Sequence, residues 1–209
     1  METNKLKRIV LFWLDVLIET AILCTLLFGV VGFIFVIGLD VKVKAHKNYE
    51  SASSIITEYS DNLVANNLVI NSIEKIPDNH LDMIVNSEYR VAISRDKIKK
   101  YNEENNKNVA GYVHHIEKMA YLNPDNYYIV ADTLHELGHV IGKLNKDPHN
   151  KEEFKKIVEQ EKDKMREYSS TNTCEYFADL YMIQFKSVHK MKNTKVPLST
   201  QFITSLTWW

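Results

Sequence analysis

The feature that most limits how this chain can fold is an uncharged apolar stretch near its N-terminus. Residues 20–39 contain no Asp, Glu, Lys or Arg. An α-helix of that length rises about 30 Å, which matches the hydrocarbon thickness of a bilayer. A helix buried in a soluble domain rarely lacks a polar face over such a length. We therefore predict one N-terminal transmembrane helix, which contacts membrane lipid through residues 20–39.

The sequence leaves open whether this segment remains attached in the mature protein or is cleaved off as a signal peptide. Residues 43–45 resemble the small-residue end of a secretory signal, and cleavage there would release a chain that begins at His46. The apolar run is long for a signal peptide, so we favour an uncleaved anchor. The basic residues on its two sides nearly balance and fix no orientation. We expect an anchor or signal segment in residues 1–45 and a separate domain in residues 46–209, either extracytoplasmic on a single-pass membrane protein or secreted after cleavage near Ala45.

Composition narrows the class of the domain. The chain has 26 Lys+Arg against 27 Asp+Glu, so it lacks the basic excess of a nucleic-acid binder, and we expect no nucleic-acid partner. Hydrophobic residues make up 45%, which is enough for a core and argues against disorder. Only 6 Gly and 4 Pro are present, which disfavours a turn-rich β-sandwich. The two cysteines, Cys24 and Cys174, cannot form a disulfide scaffold.

Apolar periodicity predicts a mainly helical α+β domain with a small sheet. The longest helix is predicted to begin at Asn123, which would act as the N-cap before a proline at the first helical position, and to end before Pro148. Its apolar residues recur every three or four positions and predict one buried stripe, formed by Tyr127, Val130, Leu134, Leu137, Ile141 and Leu144. The other predicted elements are a helix within residues 49–76, strands at residues 89–93 and 110–119, and helices at residues 151–168, 174–191 and from Pro197 onward.

The long helix carries the motif HELGH at residues 135–139. Positions i and i+4 of a helix lie on one face, so His135 and His139 can bind one metal ion while Glu136 lies beside it. Zinc suits neutral imidazole ligands and keeps an open position for water. The motif predicts one Zn²⁺ per chain, with Glu136 as the base for water that attacks a carbonyl group.

A zinc site needs a third protein ligand, and two routes are open. The metzincin pattern requires His or Asp at position 145, but Asn145 stands there, and its neutral amide is a poor zinc ligand. The other route uses Glu175 from a later helix, a ligand set similar to that of thermolysin. Asp179, one turn further on, would hydrogen-bond a ligand imidazole. An acidic pair at this spacing can equally be a solvated helix surface.

The combined pattern resembles the anthrax-lethal-factor-type metallopeptidases, which include the secreted Pro-Pro endopeptidases. HELGH is followed by Glu-Tyr-Phe-Ala-Asp at residues 175–179, where the family has Glu-Phe-Phe-Ala-Glu. Asp179 therefore replaces a Glu, and Gly142 stands where the family often has Asp. The resemblance implies a zincin-like fold, with His135, His139 and Glu175 as ligands.

The same resemblance implies a role for Tyr168. The family has a catalytic tyrosine seven residues before the ligand Glu, the position that Tyr168 occupies here. Its hydroxyl would donate a hydrogen bond to the oxyanion of the tetrahedral intermediate. Without the resemblance, a tyrosine at a helix end is more often a packing residue.

Peptidases of this kind bind peptides as an added strand beside a sheet edge, and we expect residues 111–116 to form that edge. Gly111, Tyr112 and Val113 are the candidate substrate-binding residues. His114 and His115 alternate along the strand, so at most one of them can face the site.

The expected function is zinc-dependent endopeptidase activity on a peptide or protein substrate, by Glu-assisted attack of zinc-bound water. Cys174 is interpreted as an inert, partly buried thiol. One alternative is a cytosolic repressor-cleaving metallopeptidase, although Thr171 and Cys174 stand where that family's later motif has Glu and Ala. The other is a non-catalytic, membrane-anchored binding or immunity protein with the same fold. The sequence predicts neither the cleaved bond nor the oligomeric state.

Overall fold

The computed structural model describes residues 52–165, 167–186 and 196–206. The strands are β1 (Ile56–Glu58), β2 (Arg90–Ile93), β3 (Gly111–His114) and β4 (Met119–Leu122). The helices are α1 (Leu63–Ile73), α2 (Asp78–Asn86), α3 (Arg95–Asn105), α4 (Ile129–Leu144), α5 (Glu152–Glu161), α6 (Thr173–Lys186) and α7 (Pro197–Leu206). This confirms the predicted mainly helical α+β fold with a small sheet.

The predicted transmembrane segment, residues 20–39, lies outside the described residues. Among the residues that are described, no helix combines the length and the apolar character needed to cross a bilayer.

The four strands form one sheet in the order β1-β2-β4-β3. β1 and β4 run parallel to β2, and β3 pairs antiparallel with β4. β3 is therefore an edge strand. The sequence predicted one strand over residues 110–119, whereas the chain reverses there. Lys118 adopts a left-handed conformation with φ 55°, and the Glu117 amide donates to Nδ1 of His114 at 3.2 Å, which stabilises the turn.

Helix α1 is shorter than the helix predicted within residues 49–76, because a polar cluster delays its first residue to Leu63. The side chain of Asn62 accepts a hydrogen bond from the Ala65 amide at 3.1 Å, which caps α1. The side chain of Asn66 is buried, and its amide accepts a hydrogen bond from the Ser60 backbone N–H and donates one to the Ser60 carbonyl. Residues before this cluster extend into β1 and pair with β2.

The central helix α4 also begins later than predicted. Asn123 does not cap a helix; its side chain accepts from the Asp125 amide at 3.1 Å and forms a local turn. Arg95 forms an ion pair with Asp125. As a result Tyr127, expected on the buried stripe, is 90% exposed. Once α4 begins, the predicted apolar positions Leu134, Leu137 and Ile141 are buried, whereas Val130 and Leu144 are half-buried.

The predicted helix at residues 151–168 ends early, at Glu161. The Glu161 side chain is buried and accepts hydrogen bonds from the amides of Leu198 and Ser199 and from the Ser199 hydroxyl. It thereby neutralises the N-terminus of α7. A short 3-10 turn, Tyr168–Thr171, then leads into α6.

Close packing of α4 on α6 sets the geometry of the site. A Cβ atom at Gly138 would lie 2.9 Å from Cα of Ala178, so only glycine allows this approach without a shift of the backbone. Because Gly138 lies between the two histidines of the motif, the N-terminal half of α6 is held against them.

Candidate metal centre

The structure brings the three predicted ligands together. Nε2 of His135 lies 3.1 Å from Nε2 of His139 and 3.1 Å from Oε2 of Glu175. The remaining side of the triangle, from His139 Nε2 to Glu175 Oε2, is 3.6 Å. Among the described residues, these three form the cluster of His, Cys, Asp and Glu side chains that could hold a metal ion.

The size of this triangle fits zinc. Zinc bonds to imidazole nitrogen and carboxylate oxygen at about 2.0–2.2 Å, so neighbouring ligand atoms of a tetrahedral site lie roughly 3.3–3.5 Å apart. The three observed separations bracket that range. Three protein ligands with one vacant corner of the tetrahedron make the donor set of a catalytic zinc site.

The outer nitrogen of each imidazole is bonded, which fixes the ring orientation. Nδ1 of His135 lies 2.8 Å from Oδ1 of the fully buried Asp179, whose other oxygen accepts a hydrogen bond from the Ser169 hydroxyl. Nδ1 of His139 lies 3.3 Å from Sγ of Cys174. Both Nε2 atoms are therefore left facing the centre of the triangle, as metal ligation requires.

Two of these supporting residues were missed by sequence reasoning. Cys174 was interpreted as an inert thiol, but it contacts a candidate ligand. Ser169 lies between two predicted helices and has no predicted role, yet its hydroxyl donates a hydrogen bond to Asp179. The adjacency of Cys174 to Glu175 was the one available signal, because both lie in the first turn of α6.

Charge in the site favours a cation. Burial opposes the protonated form of His135, but hydrogen bonds to Asp179 and Glu175 outweigh it and raise the pKa of His135 to about 9. Burial also opposes charge on His139, whose contacts with Cys174 and Glu175 raise its pKa to about 10. The carboxylates thus stabilise positive charge at the point where the three ligand atoms converge. A divalent ion would supply that charge.

Glu136 lies beside the triangle and outside it. Its side chain is buried, and burial raises the pKa of its carboxyl group to about 7, against the opposing effect of His135 and His139. This is close to the pKa expected of a general base that works near neutral pH. A Cβ atom at Gly111 would lie 2.9 Å from Oε1 of Glu136, so the edge strand passes directly against the carboxylate.

Two cavities open on Glu136. The larger, of about 430 Å³, is bounded by Ala131, Met182 and Ile183 as well as by Gly111. The smaller, of about 230 Å³, contains the three candidate ligands and the edge strand. A peptide laid along β3 would therefore find space on both sides of Glu136.

The candidate substrate-binding residues on β3 divide between the two faces of the sheet. Gly111 and Val113 lie on the face that packs against α4. The ring of Tyr112 lies on the other face, stacked between Tyr101 at 3.9 Å and Tyr121 at 4.9 Å between ring centroids. Tyr112 is thus part of an aromatic stack that supports the edge strand, and it also lines the smaller cavity.

Tyr168 begins the 3-10 turn that precedes α6, but its side chain lies outside the described part of the structure. Its catalytic role stays a prediction. Replacing Tyr168 by Phe keeps the ring and removes the hydroxyl, so we expect kcat to fall about 10²–10³-fold, the usual loss for one oxyanion donor. Steady-state kinetics should show little change in KM, and metal analysis should show little change in zinc content. Unchanged kcat would assign Tyr168 to packing.

Comparison with solved structures identifies the fold. The chain is similar to the Pro-Pro endopeptidase PPEP-2 from Paenibacillus alvei, with a TM-score of 0.62 and 17% sequence identity. The match covers 75% of this chain and 99% of that one. No protein-family model matches the sequence, and no curated protein matches it either. The domain thus has a fold similar to that of this Pro-Pro endopeptidase.

Proposed function

We propose that this protein is a zinc-dependent metalloendopeptidase that hydrolyses peptide bonds of a peptide or protein substrate. The observation that carries the proposal is the triangle of His135, His139 and Glu175 ligand atoms with the Glu136 carboxylate beside it. The likeness to a solved endopeptidase supports the same reading of the fold.

The residues around the triangle have separate tasks in this reaction. Zinc, when bound, would polarise a carbonyl group and lower the pKa of water, so that water can lose a proton and attack that carbonyl group at neutral pH. Glu136 accepts the proton of the attacking water and delivers it to the amine that leaves. Asp179 and Cys174 hold the two imidazoles in the orientation that ligation needs. The edge strand β3 offers its backbone to an extended substrate.

The experiment that tests the proposal uses the full-length protein, purified in detergent. Metal analysis should find one zinc per chain, and a degenerate peptide library should be cleaved at defined bonds. Removal of zinc by a chelator should stop cleavage, and added zinc should restore it. A zinc-loaded protein that leaves every peptide intact would contradict the proposal. Peptide binding without cleavage would instead favour the non-catalytic binding protein.

The proposal extends to location. Residues 20–39 would anchor the protein in a membrane, with the catalytic domain on the extracytoplasmic side. The native protein should then stay in the membrane fraction after an alkaline wash, which strips proteins that only adhere to the surface. A soluble native protein whose N-terminus is His46 would establish the alternative, secretion after cleavage near Ala45.

A further inference from the structure

Two adjacent histidines at the end of the edge strand have different surroundings. His114 is engaged in the β3–β4 turn: its Nδ1 accepts from the Glu117 amide at 3.2 Å and lies 3.7 Å from the Glu117 carboxylate. His115, the first residue of the turn after β3, is exposed, but one edge of its ring contacts the domain. Its Nδ1 lies 3.0 Å from the hydroxyl of Tyr89, whose side chain is buried. The structure therefore distinguishes two residues that the sequence could not.

His115 belongs to the same cavity as the candidate metal centre. The 230 Å³ cavity is lined by His115 together with Glu136, His139 and Glu175. Gly111, which abuts Glu136, is the first residue of β3, and His115 follows the last. At about 3.3 Å per residue, the strand carries the edge roughly 10 Å from Gly111 to His114, next to His115. An extended peptide on this edge would bring a residue three or four positions from the scissile bond beside His115.

The contact with Tyr89 defines which nitrogen of His115 is left for a ligand. A phenol hydroxyl that donates to Nδ1 selects the neutral tautomer with its proton on Nε2. The two aromatic rings meet edge to face, with 6.1 Å between centroids and 80° between planes, which restrains the imidazole further. Nε2 is therefore the ring nitrogen that remains for a ligand, and it is a donor when the Tyr89 hydroxyl donates to Nδ1.

We propose that His115 is a substrate-positioning residue that donates a hydrogen bond from Nε2 to a backbone carbonyl of the peptide, and that Tyr89 holds it in the required tautomer. The inference rests on the proposed peptidase function and adds to it a contact distant from the bond that breaks. Because the contact is made in both the bound substrate and the transition state, it acts on KM and leaves kcat nearly unchanged.

The test uses full-length, zinc-loaded protein and a peptide that the library experiment shows to be cleaved. His115→Ala should raise KM about 3- to 10-fold, the usual effect of one hydrogen bond, with kcat close to wild type. His115→Gln, whose amide can donate, should recover part of the loss. Tyr89→Phe should raise KM as well, because the ring loses its tautomer-fixing donor. Lys99→Ala, which removes an exposed side chain on α3, is the control and should leave KM unchanged.

Two further measurements separate a substrate contact from a structural role. Acetohydroxamate binds the metal without reaching along the cleft, so its inhibition constant should be the same for wild type and His115→Ala. Peptides shortened one residue at a time from either end should lose the difference in KM between the two proteins once they no longer reach His115.

Equal KM values for His115→Ala and wild type on the longest peptide would overturn the inference. So would a shift in acetohydroxamate inhibition, which would show that the variant disturbs the metal site. If the wild type cleaves no peptide, the proposed function itself fails, and this inference fails with it.

Discussion

Replacing Glu136 by Gln is expected to lower kcat for peptide hydrolysis by about 10²–10⁴-fold, the range for loss of a general base, while zinc stays at one per chain. The amide has nearly the shape of the carboxylate but cannot accept a proton from water. Glu136 lies outside the ligand triangle, so the three ligand atoms keep their positions. The measurement is single-turnover cleavage of a library-derived peptide, with metal content determined on the same sample.

The control for this variant is another Glu→Gln change that cannot reach the site. Glu103 on α3 has an exposed side chain and a loose ion pair with Lys99, so Glu103→Gln should leave cleavage unchanged. Burial of Glu136 makes folding a separate concern, and the circular dichroism spectrum and thermal midpoint should be compared with wild type. A folded, zinc-loaded Glu136→Gln protein with wild-type turnover would exclude Glu136 as the base.

Local signals in the sequence predicted the elements that depend on local physics. The apolar stripe of α4 predicted a helix around HELGH, and helical spacing alone puts His135 and His139 on one face. Element boundaries depended on contacts between distant residues. Asn123 looks like an N-cap, but the Arg95–Asp125 ion pair and the Asn123 turn keep the chain out of the helix until Ile129. Propensity at one position cannot reveal such a competition.

In the candidate site, too, some residues could be assigned from local sequence and others depend on contacts between distant residues. The motif spacing and the family resemblance together selected His135, His139 and Glu175, and the structure places their ligand atoms within bonding range of one ion. Cys174, which supports His139, could not be assigned from its own sequence neighbourhood, because its contact joins α6 to α4. The difference between His114 and His115 likewise depends on Tyr89, which lies 26 residues from His115 in sequence.

Replacing both His135 and His139 by Ala should abolish stoichiometric zinc binding. Glu175 would remain as a single carboxylate ligand, which holds zinc far more weakly than a three-ligand site. Ligand that binds only the folded state raises its stability, so a chelator should lower the thermal midpoint of the wild-type protein and leave that of the double variant unchanged. Metal analysis after dialysis gives the occupancy directly.

The double variant also leaves the buried Asp179 carboxylate with Ser169 but without its imidazole partner, which can destabilise the fold by itself. The single variant His139→Ala avoids this, because the contact between His135 and Asp179 is kept. It should fold like the wild type and still fall below stoichiometric zinc after dialysis. His114→Ala, a change outside the triangle, should keep one zinc per chain. Full zinc occupancy in the double variant would place the metal elsewhere and remove the basis for assigning catalysis to this site.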